Sequence, residues 1–546
     1  QAILAQALFG SRFAASELAA GSCGGGRDWT HNIFSVWRGR ARDELAHMVN
    51  MSDIFTAVKS VCSVCLLLFS VVVVMALIYA GDTKLSRDGH PVVAFVVIWV
   101  ATVWLAVVEG GQASLVGLPP IQPNLYKDSH PITHRITALA HRGDNLNRYL
   151  IGRQFLVVLI VFVTNMSGAP LRDATVLGLP DVLQDVFLSS GLAMILMLAM
   201  IGQLSAQVNA SHCMLDFINS YVALATLYVA LAIEFSGILH SAYLIRWMVE
   251  KLARRPATST SKSSSGLQRF LFAGRIVLSL CILGFALAVT MSALFQGKTT
   301  MWPGVPEVVS VLLFLFLMSV VGMLEGAQIA FFAVAKLDKS ELGSKPVVTK
   351  TCELLFRGDG HNLPGFMIGR QILVTMCFFI IARVTTLNVD AEAGEETIFG
   401  VSPGVQDFFN TGLLGAIITT TVGSITWQLV ASVFPVAFMH NPLVYVLLRI
   451  CLFLEFTGVC SGAWVLASCH KYMARFQRDE FYLDCAGSDS KVDVEVGSNV
   501  GFQPGADSKP SLGTDPGTFH MDPAKYISEA CPSTIGKDPQ PSASSS

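Results

Sequence analysis

Ten stretches of this 546-residue chain are apolar enough and long enough to cross a bilayer, at roughly 61–80, 91–118, 149–169, 185–208, 217–246, 269–295, 305–335, 365–387, 406–434 and 441–470. A helical span needs about 20 mostly apolar residues. Backbone polar groups in hydrocarbon must be satisfied inside a helix or a closed barrel. A barrel strand needs only about 10 residues of strict alternation, which these runs lack, so helices are expected. Only 14% of residues are charged, against about a quarter in soluble domains. With 37 basic and 39 acidic residues the net charge is −2, so no overall basic field recruits nucleic acid. The expected fold class is an all-α polytopic membrane protein, with the lipid bilayer as its surroundings.

The chain divides at a Ser/Thr/Lys stretch between the fifth and sixth runs, Arg254-Arg255-Pro256 through Ser265. The expected organisation is an N-terminal cytoplasmic segment (1–60), a first five-helix repeat (61–246), a linker (247–268), a second five-helix repeat (269–470) and a tail (485–546). The tail has too little apolar surface to offset the entropy of ordering, so disorder is expected there. The cysteines lack the spacing of a disulfide scaffold. Cys62-x-x-Cys65 opens an aliphatic run rather than a βαβ unit, so it reads as apolar filling.

The halves repeat each other. Glu109-Gly110-Gly111-Gln112 recurs as Glu325-Gly326-Ala327-Gln328, offset by 216, and Ile151-Gly152-Arg153-Gln154 as Ile368-Gly369-Arg370-Gln371, offset by 217. Gln184-Asp185 matches Gln406-Asp407, Gly202 and Gln207 match Gly423 and Gln428, and Glu234-Phe235-Ser236-Gly237 matches Glu455-Phe456-Thr457-Gly458. Units with an odd number of spans enter the membrane with opposite orientation, so five spans per unit predict a 5+5 inverted repeat, an architecture frequent among secondary transporters. That arrangement leaves Lys and Arg nearly balanced between the two faces, with a lean toward cytoplasmic termini.

Two carboxylates fall well inside apolar runs, Glu109 and Glu325. There a charge is costly unless paired, hydrogen-bonded or facing water. Gly110 and Gly326 are expected to weaken the helix locally, freeing carbonyls that suit Na⁺, while Gln112 and Gln328 can donate and accept. Gly152-Arg153-Gln154 and Gly369-Arg370-Gln371 open the third and eighth runs. A single arginine there would read as an interfacial anchor, but two arginines and two glutamates in a duplicated frame predict pairing. Glu109 should meet Arg153 or Arg370, and Glu325 the other. Glu234 and Glu455, each followed within two residues by a hydroxyl (Ser236, Thr457), are candidates for Na⁺ binding or for supporting contacts. Asp185 and Asp407 read as helix N-terminal charges.

Paired EGxQ and GRQ motifs, once in each half of a ten-span chain, resemble those of the silicon (silicic acid) transporters of diatoms and other silicifying eukaryotes. The resemblance covers roughly residues 55–475, and Cys213-Met214-Leu215-Asp216 is similar to a tetrapeptide of some members. It implies sodium-coupled symport of orthosilicic acid by alternating access, with germanic acid as an analogue substrate and no cofactor beyond the co-transported Na⁺. Glu109, Gly110, Gln112, Gly152, Arg153, Gln154 and their equivalents Glu325, Gly326, Gln328, Gly369, Arg370, Gln371 would form the substrate sites. A plasma-membrane location is implied, an intracellular silica-depositing membrane being the alternative, and a homo-oligomer is compatible. The solute has four hydroxyls, each donor and acceptor, which glutamine amides match. A passive channel for a small neutral hydroxylated solute is the competing reading. An enzyme is not expected: His130, His134 and His141 lie in one loop, with no second histidine cluster to complete a di-iron site, and no phosphate-binding loop is present.

Overall fold

The computed structural model describes residues 51–118, 121–171, 174–252, 266–302, 304–334, 346–356, 362–390, 394–479 and 482. Among them the regular elements are all helical, with two isolated β-bridges besides. In chain order the main helices are α1 (Met51–Ala80), α2 (Pro91–Gly117), α3 (Asn145–Gly168), α4 (Leu192–His212), α5 (Tyr221–Ser236), α6 (Ser241–Leu252), α7 (Gly266–Phe295), α8 (Glu307–Val334), α9 (Asn362–Thr385), α10 (Leu413–Val433), α11 (Pro442–Thr457) and α12 (Gly462–Ala474). The expected tail (485–546), most of the N-terminal segment and the centre of the linker lie outside the described residues. The chain is an all-α polytopic membrane protein: α1–α4 and α7–α10 are each long and apolar enough to cross a bilayer.

The fifth and tenth runs are not straight spans. α5 and α6 meet at 60°, and α11 and α12 at 67°. Local chemistry places the breaks: Gly237 and Gly458, 221 residues apart, take the left-handed conformation that ends α5 and α11 (φ 84° and 71°). Ser220 caps α5 through the Ala223 amide, and Asn441 with Pro442 starts α11. The fourth and ninth spans begin later than the apolar runs suggest, at Leu192 and Leu413, behind the left-handed Gly191 and Gly412.

Contacts along α3 fix the direction of its neighbours. Gln207, near the end of α4, meets Glu109, which meets Arg153 near the start of α3. Glu234, near the end of α5, meets Arg148 at the start of α3. Both α4 and α5 therefore run toward the face where α3 begins, and α5 re-enters rather than crosses. The equivalent contacts in the second half are Gln428 to Glu325 to Arg370, and Gly365 against Glu455. Each half thus crosses four times, not five.

An even number of crossings removes the inversion expected from the sequence. The ends of α1 and α3 join through the Thr83–Pro170 bridge, and the ends of α7 and α9 through Thr299–Leu387. Lys84 then donates to the carbonyls of Leu387 and Asn410, and Trp302 to that of Ser189, so all four helices end at one face. Equivalent helices run in the same direction. The near-tie in basic residues disappears with the inversion. Among described residues, Lys59, Lys127, Arg135, Arg142, Arg148, Lys251, Lys350, Lys471, Arg475 and Arg478 gather at the face where α1, α3, α7 and α9 begin. The opposite face carries Asp82, Asp88, Asp181, Asp185, Glu307, Asp390, Glu395, Glu396 and Asp407 against Lys84, Arg87, Lys298 and Arg383.

The halves meet where α3 packs on α9 and α10, and α9 on α4. They also exchange their last helices: α6 packs on α7 and α10, and α12 on α1 and α4. Ser63 of α1 takes the Gly462 amide and donates to the Val459 carbonyl, and Ser279 of α7 likewise takes the Ser241 amide and donates to the Ile238 carbonyl.

Candidate functional site

Each half buries one ionic site of the same design. In the first, an Arg153 Nη1 lies 3.2 Å from Glu109 Oε2, Gln207 Nε2 donates to the same oxygen at 2.9 Å, and Arg153 Nη2 donates to Gln154 Oε1 at 2.7 Å. In the second, Arg370 Nη1 donates to Glu325 Oε1 at 3.2 Å, Gln428 Nε2 to Glu325 Oε2 at 2.8 Å, and Arg370 Nη2 to Gln371 Oε1 at 2.9 Å. Glu109 and Glu325 are 4% and 3% exposed. The alternatives left open by the sequence resolve to pairing within each half. Compensation of this kind is what makes a buried charge tolerable, since removing one partner strands the other.

Gln112 and Gln328 lie one turn beyond the carboxylates, half-buried and with no hydrogen bond to protein. Their amides are free for a solute. Gln203 of α4 extends the polar zone between halves: its Oε1 lies 2.5 Å from Thr375 Oγ1, whose one proton is shared between it and the Gln371 carbonyl at 2.7 Å.

The glycines act differently from expectation. α2 and α8 are unbroken helices through Gly110 and Gly326, so no carbonyl is freed there. A side chain at either would run into a ring, Phe217 or Phe438, carried by the short helices Met214–Ile218 and Pro435–Met439. Gly152 and Gly369 lie against the backbone carbonyls of Ala230 and Cys451, letting α5 and α11 approach α3 and α9 without an intervening Cβ. The irregular turns fall instead in α4 and α10, where Leu198–Leu204 and Thr419–Ile425 are π-helical. Such widened turns recur at functional sites.

Gln207 and Gln428 are the site residues that motif reading passed over. Their signal was present as a repeat match, but one amide in an apolar run gave no reason to aim it at a carboxylate on another helix. Glu234 is held by Arg148 Nε at 2.6 Å, with His240 Nε2 at 3.8 Å, whereas Glu455 is exposed. The hydroxyls of Ser236 and Thr457 donate to the Ile233 and Leu454 carbonyls one turn back. These four residues are not brought together. Nor are the loop histidines: His130 pairs with Asp216 at 3.0 Å and His141 Nε2 lies 3.0 Å from the Leu115 carbonyl. Among the described residues, no three His, Cys, Asp or Glu side chains gather as metal ligands.

Cys213–Asp216, which has no counterpart in the second half, holds the chain beyond α12. Asp479 accepts the Met214 and Leu215 amides at 2.8 and 2.9 Å. Asp216 accepts from the Gln477 amide at 2.6 Å and from the Tyr482 hydroxyl at 3.3 Å. Burial alone would raise the Asp216 pKa, but the bonds from His130 and Gln477 outweigh it and hold the carboxyl below its usual value; burial pushes Asp479 up.

A duplicated helical membrane protein with a buried carboxylate–guanidinium–amide site in each half has the makings of a solute carrier. The family model described as silicon transporter matches residues 51–537, and the chain belongs to that family. No curated protein and no solved structure matches it. Membership makes it a transporter, with silicic acid as the solute carried across the membrane.

Proposed function

We propose that the protein couples silicic acid to Na⁺ and works by alternating access, with the basic face cytoplasmic. The observation that carries this reading is the pair of buried sites in matching positions of two parallel halves. Parallel repeats related by an axis along the membrane normal occur in carriers whose halves rock against each other. Here the rocking surface would be the contact of α3, α4, α9 and α10. The orientation follows from the basic residues gathered at one face, as cytoplasmic loops carry excess Lys and Arg. The location proposed is a plasma membrane.

Silicic acid is mostly neutral, so the membrane potential cannot itself drive it uphill. A co-transported cation can, at about 2.3 kcal/mol per charge per 100 mV. In the proposed cycle Glu109 and Glu325 receive Na⁺ in competition with Arg153 and Arg370. The displaced guanidinium then serves the solute together with Gln154 or Gln371, and with Gln112 or Gln328. The test is uptake into proteoliposomes, with silicic acid or germanic acid as substrate. Accumulation above the external level only under an inward Na⁺ gradient is expected. Equilibration without accumulation would instead make the protein a passive channel.

A further inference from the structure

We infer that a second solute-binding site, separate from the two ionic sites, opens at the acidic face where the C-terminal ends of α3 and α9 meet. A crevice of about 60 Å³ lies there between Asn165 and Met166 of α3 and Ala169 just beyond it, Arg383 of α9 and Thr386 just beyond it, and Lys84 and Thr300 from the connections. Arg153 is 12 residues back along α3 from Asn165, or about 18 Å at 1.5 Å per residue. The crevice is thus well removed from the Glu109 site.

Two buried acceptors mark it as built for a ligand. Asn165 Oδ1 and Thr386 Oγ1 have no hydrogen-bond partner, although the residues are only 5% and 1% exposed. An unsatisfied buried polar atom costs about 1–3 kcal/mol. A solute with several hydroxyls can donate to each atom and remove that cost. A donor faces the same solute: Lys84 spends N–H groups on the carbonyls of Leu387 and Asn410, at 3.2 and 3.4 Å, which leaves a third. Two acceptors and an ammonium donor fit a small neutral molecule bearing several hydroxyls.

The repeat argues that this is one site rather than two half-sites. Asn165 is matched in the other half by Ala382, Thr386 by Ala169, and Lys84 by Thr300. Duplication would have produced a symmetric pair of contacts; the Asn165 amide, the Thr386 hydroxyl and the Lys84 ammonium each occur in one half only. The ionic sites kept their symmetry, and the crevice lost it.

The solute assigned is silicic acid, which rests on the transport reading above, and the site is its first stop on entry from the acidic face. The experiment is labelling of Asn388→Cys and Leu171→Cys variants, at lining residues that keep accessible surface, in intact cells by a membrane-impermeant thiol reagent, with the parent protein as blank. Both cysteines are expected to react from outside. Silicic acid at ten times its half-saturating concentration should slow the reaction about tenfold, following one-site occupancy. Labelling at an unchanged rate in its presence overturns the site, as does failure of both cysteines to react from outside. Protection in a protein that carries no silicic acid would uphold the crevice and sink the transport reading. Transport without protection would do the reverse.

Discussion

Gln207 Nε2 donates to Glu109 Oε2 at 2.9 Å, from α4 across to α2, and the same bond recurs between Gln428 and Glu325 at 2.8 Å. The amide belongs to the helix with a π-helical turn just before it, and the carboxylate to a regular one. Any movement of α4 relative to α2 must therefore break or stretch a charge-assisted bond. That places the glutamine between the ionic site and the surface on which the halves meet.

Replacing Gln207 with Leu should cost about 1.5–3 kcal/mol of stability, the worth of a hydrogen bond to a charged group. Gln428→Leu should cost about the same, since its geometry is equivalent. Melting of the purified protein in detergent checks both. A loss in one half alone would mean that the two sites are not energetically alike.

Pairing within each half makes a directional prediction for the ions. Arg153→Met leaves Glu109 stranded and should destabilise by about 3–5 kcal/mol, as breaking buried pairs does. Adding Glu109→Gln should restore much of the loss. Arg153→Met combined with Glu325→Gln should be worse than either change alone, because the groups belong to different sites. A double-mutant cycle of melting free energies reads the coupling, and rescue across halves would contradict the geometry.

Eight of the spans, the duplication and the buried charge pairs could be read from the chain because each rests on a local quantity. An apolar run needs only its length, and the Glu–Arg pairing needs only two scarce charges with no other means of compensation. The inversion expected from the sequence fails because counting runs treats α5 with α6 as one crossing. The direction of α5 depends on where Glu234 finds Arg148, a contact 86 residues away that no window of sequence contains. The charge tie then followed from the wrong count. Gly110 shows the converse limit. Its composition signals a weak point in a helix, yet the space beside it is taken by Phe217 from another segment.

Glycine substitutions separate two kinds of close approach. Gly110→Ala collides with the Phe217 ring, and Gly326→Ala with that of Phe438, each a side chain that can be shortened. Overpacking of this sort costs about 1–3 kcal/mol. Gly110→Ala with Phe217→Leu should recover most of it. Gly152→Ala and Gly369→Ala collide with backbone carbonyls and should find no such rescue. Expression level and melting of the four single variants, with the one double, test the distinction.

The attachment of the chain beyond α12 predicts opposite pH signatures for its two aspartates. The Asp216 pKa is held below its ordinary value in the folded protein, so its contribution to stability is present above the unfolded pKa and lost as pH falls through the folded one. The Asp479 pKa is raised, so its contribution is present below the unfolded value and lost as pH rises through the folded one. Melting curves of the parent minus those of Asp216→Asn should therefore rise with pH, and those minus Asp479→Asn should fall. At neutral pH Asp216→Asn should also open Arg475 and Arg478 to trypsin, because the Gln477 amide and Tyr482 hydroxyl lose their anionic acceptor. Unchanged cleavage at both arginines, with difference curves of the same slope, would mean that Cys213–Asp216 does not hold the segment after α12.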